Sequence, residues 1–232
     1  MSRGARIAYA AAMELLYEAH VPAGDGPHPT LLLLHGWGAS AHDLLGFAPV
    51  LHGGKALVLC PQGPLAFQVG PGAVGFGWYP LIPDRPPEAE AVDTAREVIE
   101  RFLDAALAAY PVDPRRVVIG GFSQGGFMAC QIALRDPGRF AGLMALSSWL
   151  PSAFAEEVPR RPEHAELPTL VIHGTDDTMV PVERARDVRD VLLGLGVPTV
   201  YREYAMGHEI RPEALGALLE WLEEKVLSPV IA

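Results

Sequence analysis

Apolar residues in this chain fall into short, nearly continuous runs separated by stretches with helical spacing. TLLLL (30–34), ALVLC (56–60), RVVIG (116–120), AGLMALS (141–147), PTLVIHG (168–174) and PTVYREY (198–204) have the length and unbroken hydrophobicity of strands buried on both faces of a parallel sheet. Near the start the pattern alternates instead. Met13, Leu15, Tyr17, Ala19 and Val21 fall on one side and Glu14, Glu18 and His20 on the other, which predicts a half-buried strand. Helical spacing predicts helices over 41–52, 88–109, 124–135, 182–194 and 211–227. Pro212 suits the first turn of the last, and Gly194 or Gly196 the end of the one before. Strands and helices that alternate in this way imply an α/β fold, a mostly parallel central sheet with helices on both faces. The segments 61–87 and 148–167, both rich in proline, are predicted as long irregular connections over the strand ends where ligands bind. No repeat or linker divides the chain, and 232 residues suit one domain, 1–232, with too little sequence after 141–147 for a separate cap domain.

Composition narrows the partners. Half of the residues are apolar, yet no run is long enough to span a bilayer. The formal charge of −10 is spread along the chain and argues against nucleic acid and against anionic membranes. Cys60 and Cys130 fit no metal or redox spacing and are expected to be reduced, buried thiols. The opening MSRGARIAYAAAMELL imitates a signal peptide poorly, so a cytoplasmic protein without stable membrane insertion is expected.

The chemistry gathers at GGFSQGG (120–126). Gly121-Phe122-Ser123-Gln124-Gly125 is a G-x-S-x-G motif between a predicted strand and a predicted helix, the setting a nucleophile elbow requires. The turn lifts the Ser123 hydroxyl clear of the sheet, glycines let strand and helix close together, and the helix aims its amides at the site. A serine hydroxyl needs a base, and the base needs an acid to orient it. In this fold they follow in the order Ser, Asp or Glu, His. Of the eight histidines, His164, His173 and His208 follow the serine. His164 has no strand end beneath it and His173 closes a strand and points into the packing, which leaves His208, between the last strand and the last helix. HGTDDTMVP offers Asp176 and Asp177 as the acid; one of the two can simply shape the turn. Oxyanion donors are expected at the Gln124 amide and in the loop LLLLHGWGAS, where Trp37 is the x of H-G-x-G and His35 is a structural hydrogen-bonding residue.

LHGWGAS, CPQGP, GWY, GGFSQGG, ALSSWLP, HGTDDTMVP and MGHEI together resemble, in order and spacing, the phospholipase/carboxylesterase family. These are small α/β-hydrolases that include acyl-protein thioesterases. The resemblance runs from about residue 28 to 227. It implies Ser123 as nucleophile, His208 as base, Asp177 as acid, and backbone oxyanion donors at Trp37 and Gln124. The segment 148–167 is the chain's own. Phe76, Trp78, Leu81, Trp149 and Met179 are candidates for an acyl pocket, with Trp78, Trp149 and Met179 placed in it here.

Other chemistries fit poorly. Gly53-Gly54-Lys55 lacks the spacing and hydroxyl of a P-loop, no strand leads into G-x-G-x-x-G, and no HExxH or Cys/His cluster marks a metal site. The expectation is a cofactor-free, metal-free serine esterase acting on a small-molecule ester or thioester. A thioesterase or lysophospholipase would use the same triad. A catalytically silent binding protein on this scaffold is the alternative from another class; it should have lost a triad member, and none is lost.

Overall fold

The computed structural model describes residues 6–7, 14–82 and 85–227. In chain order its elements are β1 (Arg6–Ile7), β2 (Tyr17–His20), β3 (His28–Leu34), α1 (Ala41–Leu45), β4 (Leu57–Pro61), β5 (Leu65–Gly70), β6 (Ala73–Gly77), α2 (Ala89–Ala109), β7 (Val112–Phe122) and α3 (Gln124–Ala133). There follow β8 (Gly142–Leu146), α4 (Phe154–Glu157), β9 (Thr169–Gly174), α5 (Val182–Leu195), β10 (Thr199–Tyr204) and α6 (Pro212–Trp221), which runs on as a wider turn through Leu222–Leu227. The main sheet has the order β1-β2-β4-β3-β7-β8-β9-β10. Neighbours from β4 to β10 are parallel, while β2 joins β4, and β1 joins β2, antiparallel.

The unbroken apolar runs are explained by cover on both faces. Leu32 and Leu34 of β3 pack with α2, α3 and α5, whereas Leu31 and Leu33 pack with α1 and α6. All ten residues of α3 are buried, as expected for a helix apolar around most of its circumference. At about 25 cal/mol for each Å² of apolar surface removed from water, these two layers carry most of the driving force. Cys60 and Cys130 are unpaired and buried, and burial pushes both thiols up, Cys130 to about 12.

Several expectations are corrected. The helix expected over 41–52 stops at Leu45; Pro49 cannot donate to a helical ladder, and His52 and Gly53 turn with φ of 50° and 58°. Val21 lies beyond the end of β2 and is half exposed, although Leu15, Tyr17 and Ala19 are buried as the alternation predicts; Met13 lies outside the described residues. The segment 61–87 is irregular only in part. Its middle is an antiparallel ribbon of β5 and β6, turned at Gly70-Pro71-Gly72, with Gly72 at φ 73°. Within 148–167, α4 buries Phe154 and a helical turn forms at Pro162–Glu166. Gly196, with φ 82°, ends α5 as expected. Among the described residues no helix is long and apolar enough to cross a membrane.

Candidate active site

The loops after β3, β7, β8, β9 and β10, at the C-terminal edge of the parallel strands, converge with residues of 81–87 on one cavity of about 900 Å³. Ser123 follows β7 directly and opens α3, with φ 55° and ψ −118°, a conformation costly for a residue with a Cβ. The surroundings hold it there. The Ser123 amide donates to Leu146 O at 2.8 Å, and Ser123 O accepts from the Phe127 amide at 3.1 Å and the Ser148 hydroxyl at 2.9 Å. The flanking glycines are required by contact: a Cβ on Gly121 would collide with the backbone of Gly125, and one on Gly125 with the carbonyl oxygen of Leu34. Nothing bulkier than glycine lets β3, β7 and α3 meet this closely.

Asp177 and His208 are brought together by the loops after β9 and β10. Thr175 N donates to Tyr204 O at 2.8 Å and Asp176 N to Met206 O at 3.1 Å, which ties the two loops to each other. Asp177 Oδ2 then accepts from His208 Nδ1 at 2.7 Å, and Asp177 Oδ1 accepts the amides of Met179 and Val180 at 2.9 and 2.8 Å. A carboxylate accepts only, so the His208 proton sits on Nδ1 and Nε2 is left as a lone-pair nitrogen. The Asp177 side chain is fully buried, and that of His208 is 13% exposed, against the Phe122 ring at 4.7 Å. Ser123 and His208 both line the cavity, with no hydrogen bond between them.

Asp176 does not take the expected turn-shaping role. Its carboxylate is exposed and meets only the Thr175 hydroxyl, at 3.4 Å; Asp177 itself accepts the turn amides. His173 is buried, donates through Nε2 to Val180 O at 2.7 Å, and lies 3.4 Å from Asp177 Oδ2, so it supports the Asp177 loop from below. His164 bridges Arg161 N and Leu134 O, at 3.1 and 2.9 Å. His35 Nε2 accepts from Gly63 N at 2.9 Å, which puts its proton on Nδ1, donating to Gly36 O at 2.8 Å. Burial lowers the pKa of both His35 and His173.

Neither the Trp37 nor the Gln124 amide is used in a backbone hydrogen bond. Gln124 opens α3, whose first amides have no partner inside the helix. Its side chain serves elsewhere, accepting Trp78 N at 2.9 Å and donating to Tyr79 O at 2.8 Å. The Trp37 loop is gripped by the β5–β6 ribbon: Gly38 N donates to Phe76 O at 2.8 Å, Phe76 N to Ala39 O at 2.9 Å, and the Trp37 and Phe67 rings stack at 4.1 Å.

Of the expected pocket residues, Trp149 and Met179 line the cavity, as does Leu81, and Met179 is 75% exposed. Trp78 does not. It is buried in the core and donates its Nε1 proton to His35 O at 2.8 Å, so it braces the loop behind the site. Phe122, the residue before Ser123, does line the cavity and goes unread in the sequence, although adjacency to the serine is itself a signal. Among the described residues no group of His, Cys, Asp and Glu could hold a metal ion.

Residues 17–226 match the family model described as Phospholipase/Carboxylesterase. An acyl-protein thioesterase 1 of Gibberella zeae is 28% identical, across 88% of this chain and 94% of the relative. The crystal structure of the esterase PE8 superposes with a TM-score of 0.76 at 26% identity, covering 89% of this chain and 97% of that one. A carboxylesterase from Mesorhizobium loti shares the fold, with a TM-score of 0.78 at 19% identity, over 95% and 99% of the two chains.

Proposed function

The chain belongs to the phospholipase/carboxylesterase family of hydrolases, and on that premise we propose that it cleaves carboxylic esters through an acyl-enzyme formed on Ser123. The observation that carries this reading is the 2.7 Å contact of Asp177 Oδ2 with His208 Nδ1, which leaves the basic Nε2 free in a cavity that Ser123 also lines. Ser123 Oγ attacks the substrate carbonyl carbon while His208 Nε2 takes the hydroxyl proton. The negative charge that develops on the carbonyl oxygen is met by the amides of Trp37 and Gln124. Asp177 holds the imidazole in the required tautomer and stabilises the imidazolium. Collapse expels the alcohol, which takes the proton from His208. Water then attacks the acyl-enzyme with His208 again as base, and the acid departs as Ser123 recovers its proton. A serine–histidine distance longer than a hydrogen bond is common before substrate is bound.

Hydrolysis of p-nitrophenyl esters of graded chain length is the direct test. Ser123→Ala should lower kcat on the order of 10⁶-fold with the fold intact, since the hydroxyl sits at a turn and holds up no packing. A variant within about tenfold of the parent would remove Ser123 from the mechanism. A second reading, thioester cleavage by the same residues, is favoured by the likeness to an acyl-protein thioesterase. One acyl thioester in the same panel separates the two.

A further inference from the structure

Two guanidiniums, those of Arg85 and Arg184, and no carboxylate line the cavity among the described residues. That runs against a composition of 28 acidic to 18 basic residues. Several other arginines hold close carboxylates, Arg101 with Glu14 at 2.9 Å, Arg186 with Glu203 at 2.8 Å and Arg211 with Glu209 at 2.7 Å. Arg160, Arg161 and Arg202, which pair with none among the described residues, do not line the cavity. Arg85 makes no ion pair among the described residues, and Arg184 reaches only Asp187, at 4.0 Å. Arg184 also stands in the first turn of α5, where the helix dipole is positive and a cation is disfavoured. Charge and dipole therefore present the same sign at this wall. Apart from Ser123 and His208 the rest of the lining is mainly apolar, with Trp37, Leu81, Phe122, Trp149 and Met179.

We propose that the cavity selects substrates that carry an oxyanion, carboxylate or phosphate, on an apolar body, with Arg85 and Arg184 reading the anion. Guanidinium forks match either group bidentately. The inference rests on the cavity being the substrate site of the proposed hydrolase. Both side chains are exposed, so each contact should contribute only about threefold, and the pair about tenfold.

The test is calorimetric binding to Ser123→Ala of three non-scissile anilides of matched length: pentanoic acid anilide (neutral), glutaric acid mono-anilide (carboxylate) and its phosphate counterpart. At least one anionic compound should bind about tenfold more tightly than the neutral one, by a margin that narrows with added salt. Arg85→Gln/Arg184→Gln in the same background should abolish the margin, and whichever anion shows it identifies the group. Equal binding of all three compounds, or a margin that survives the double replacement, overturns the proposal. Binding needs no turnover: an anion preference in a protein that hydrolyses no ester would sink the esterase reading alone, and ester hydrolysis indifferent to charge would sink this one alone.

Discussion

At the scale of single residues, two adjacent aspartates make the sharpest contrast. Asp177 is buried with both oxygens engaged, one by His208 and one by two amides, while Asp176 faces solvent. Asp177→Asn should lower kcat about 10⁴-fold, the scale expected when a triad keeps its shape and loses its acid. Asp176→Asn should leave kcat within a few-fold. Comparing the two purified variants on one ester checks both, and a crippled Asp176→Asn would reverse the assignment. His35 and His173 set a second expectation. Their folded-state pKa values are depressed by burial, so as pH falls below the ordinary histidine value of about 6.5 the unfolded chain takes up protons that the folded one refuses. Stability is therefore full above that pH and declines with acid. Guanidinium chloride midpoints should be lower at pH 5.5 than at 7.5, and the gap should narrow in His173→Gln. Identical midpoints would contradict neutral burial of these rings. That Ser123 and His208 meet at one cavity is legible in the sequence, because their motifs carry mechanical demands of order and turn geometry. The choice of Asp177 over Asp176 is not, without the family pattern, because the direction of neighbouring side chains in a turn is settled by what lies behind them. Trp78 fails for the same reason: a tryptophan in a loop reads alike whether it faces a ligand or, as here, a backbone carbonyl.

At the scale of elements, the strands were legible from their unbroken apolar runs, since cover on both faces leaves no polar position to interrupt them. The β5–β6 ribbon was not. It packs on no layer of the core, its strands are partly exposed, and its glycines read as loop composition before they read as a turn. Yet it holds the Trp37 loop by two backbone bonds and a ring stack. Phe67→Ala should therefore lower kcat several-fold through a loosened Trp37 amide, while costing only about 1 kcal/mol of stability, as Phe67 is only partly buried. Steady-state kinetics beside a denaturant melt would show whether the loss falls on rate. A variant destabilised by several kcal/mol but unchanged in kcat would make the ribbon a stability element instead.

For the molecule as a whole, one parallel sheet order brings the ends of β3, β7, β8, β9 and β10 to a common edge, so residues more than eighty positions apart in the chain share one cavity. The order of the motifs suffices to place that edge, while the volume and lining of the cavity depend on 61–87 and on 148–167, where turns and partial burial leave little periodic signal. The claim on which the rest depends is that Ser123 becomes covalently modified during turnover. Exposure to a fluorophosphonate, followed by intact mass measurement and peptide mapping, tests it directly. One adduct per chain on the peptide containing Ser123, absent in Ser123→Ala and formed far more slowly in a His208 variant, is the result expected. An unmodified protein that still hydrolyses esters, or an adduct on another residue, would contradict it.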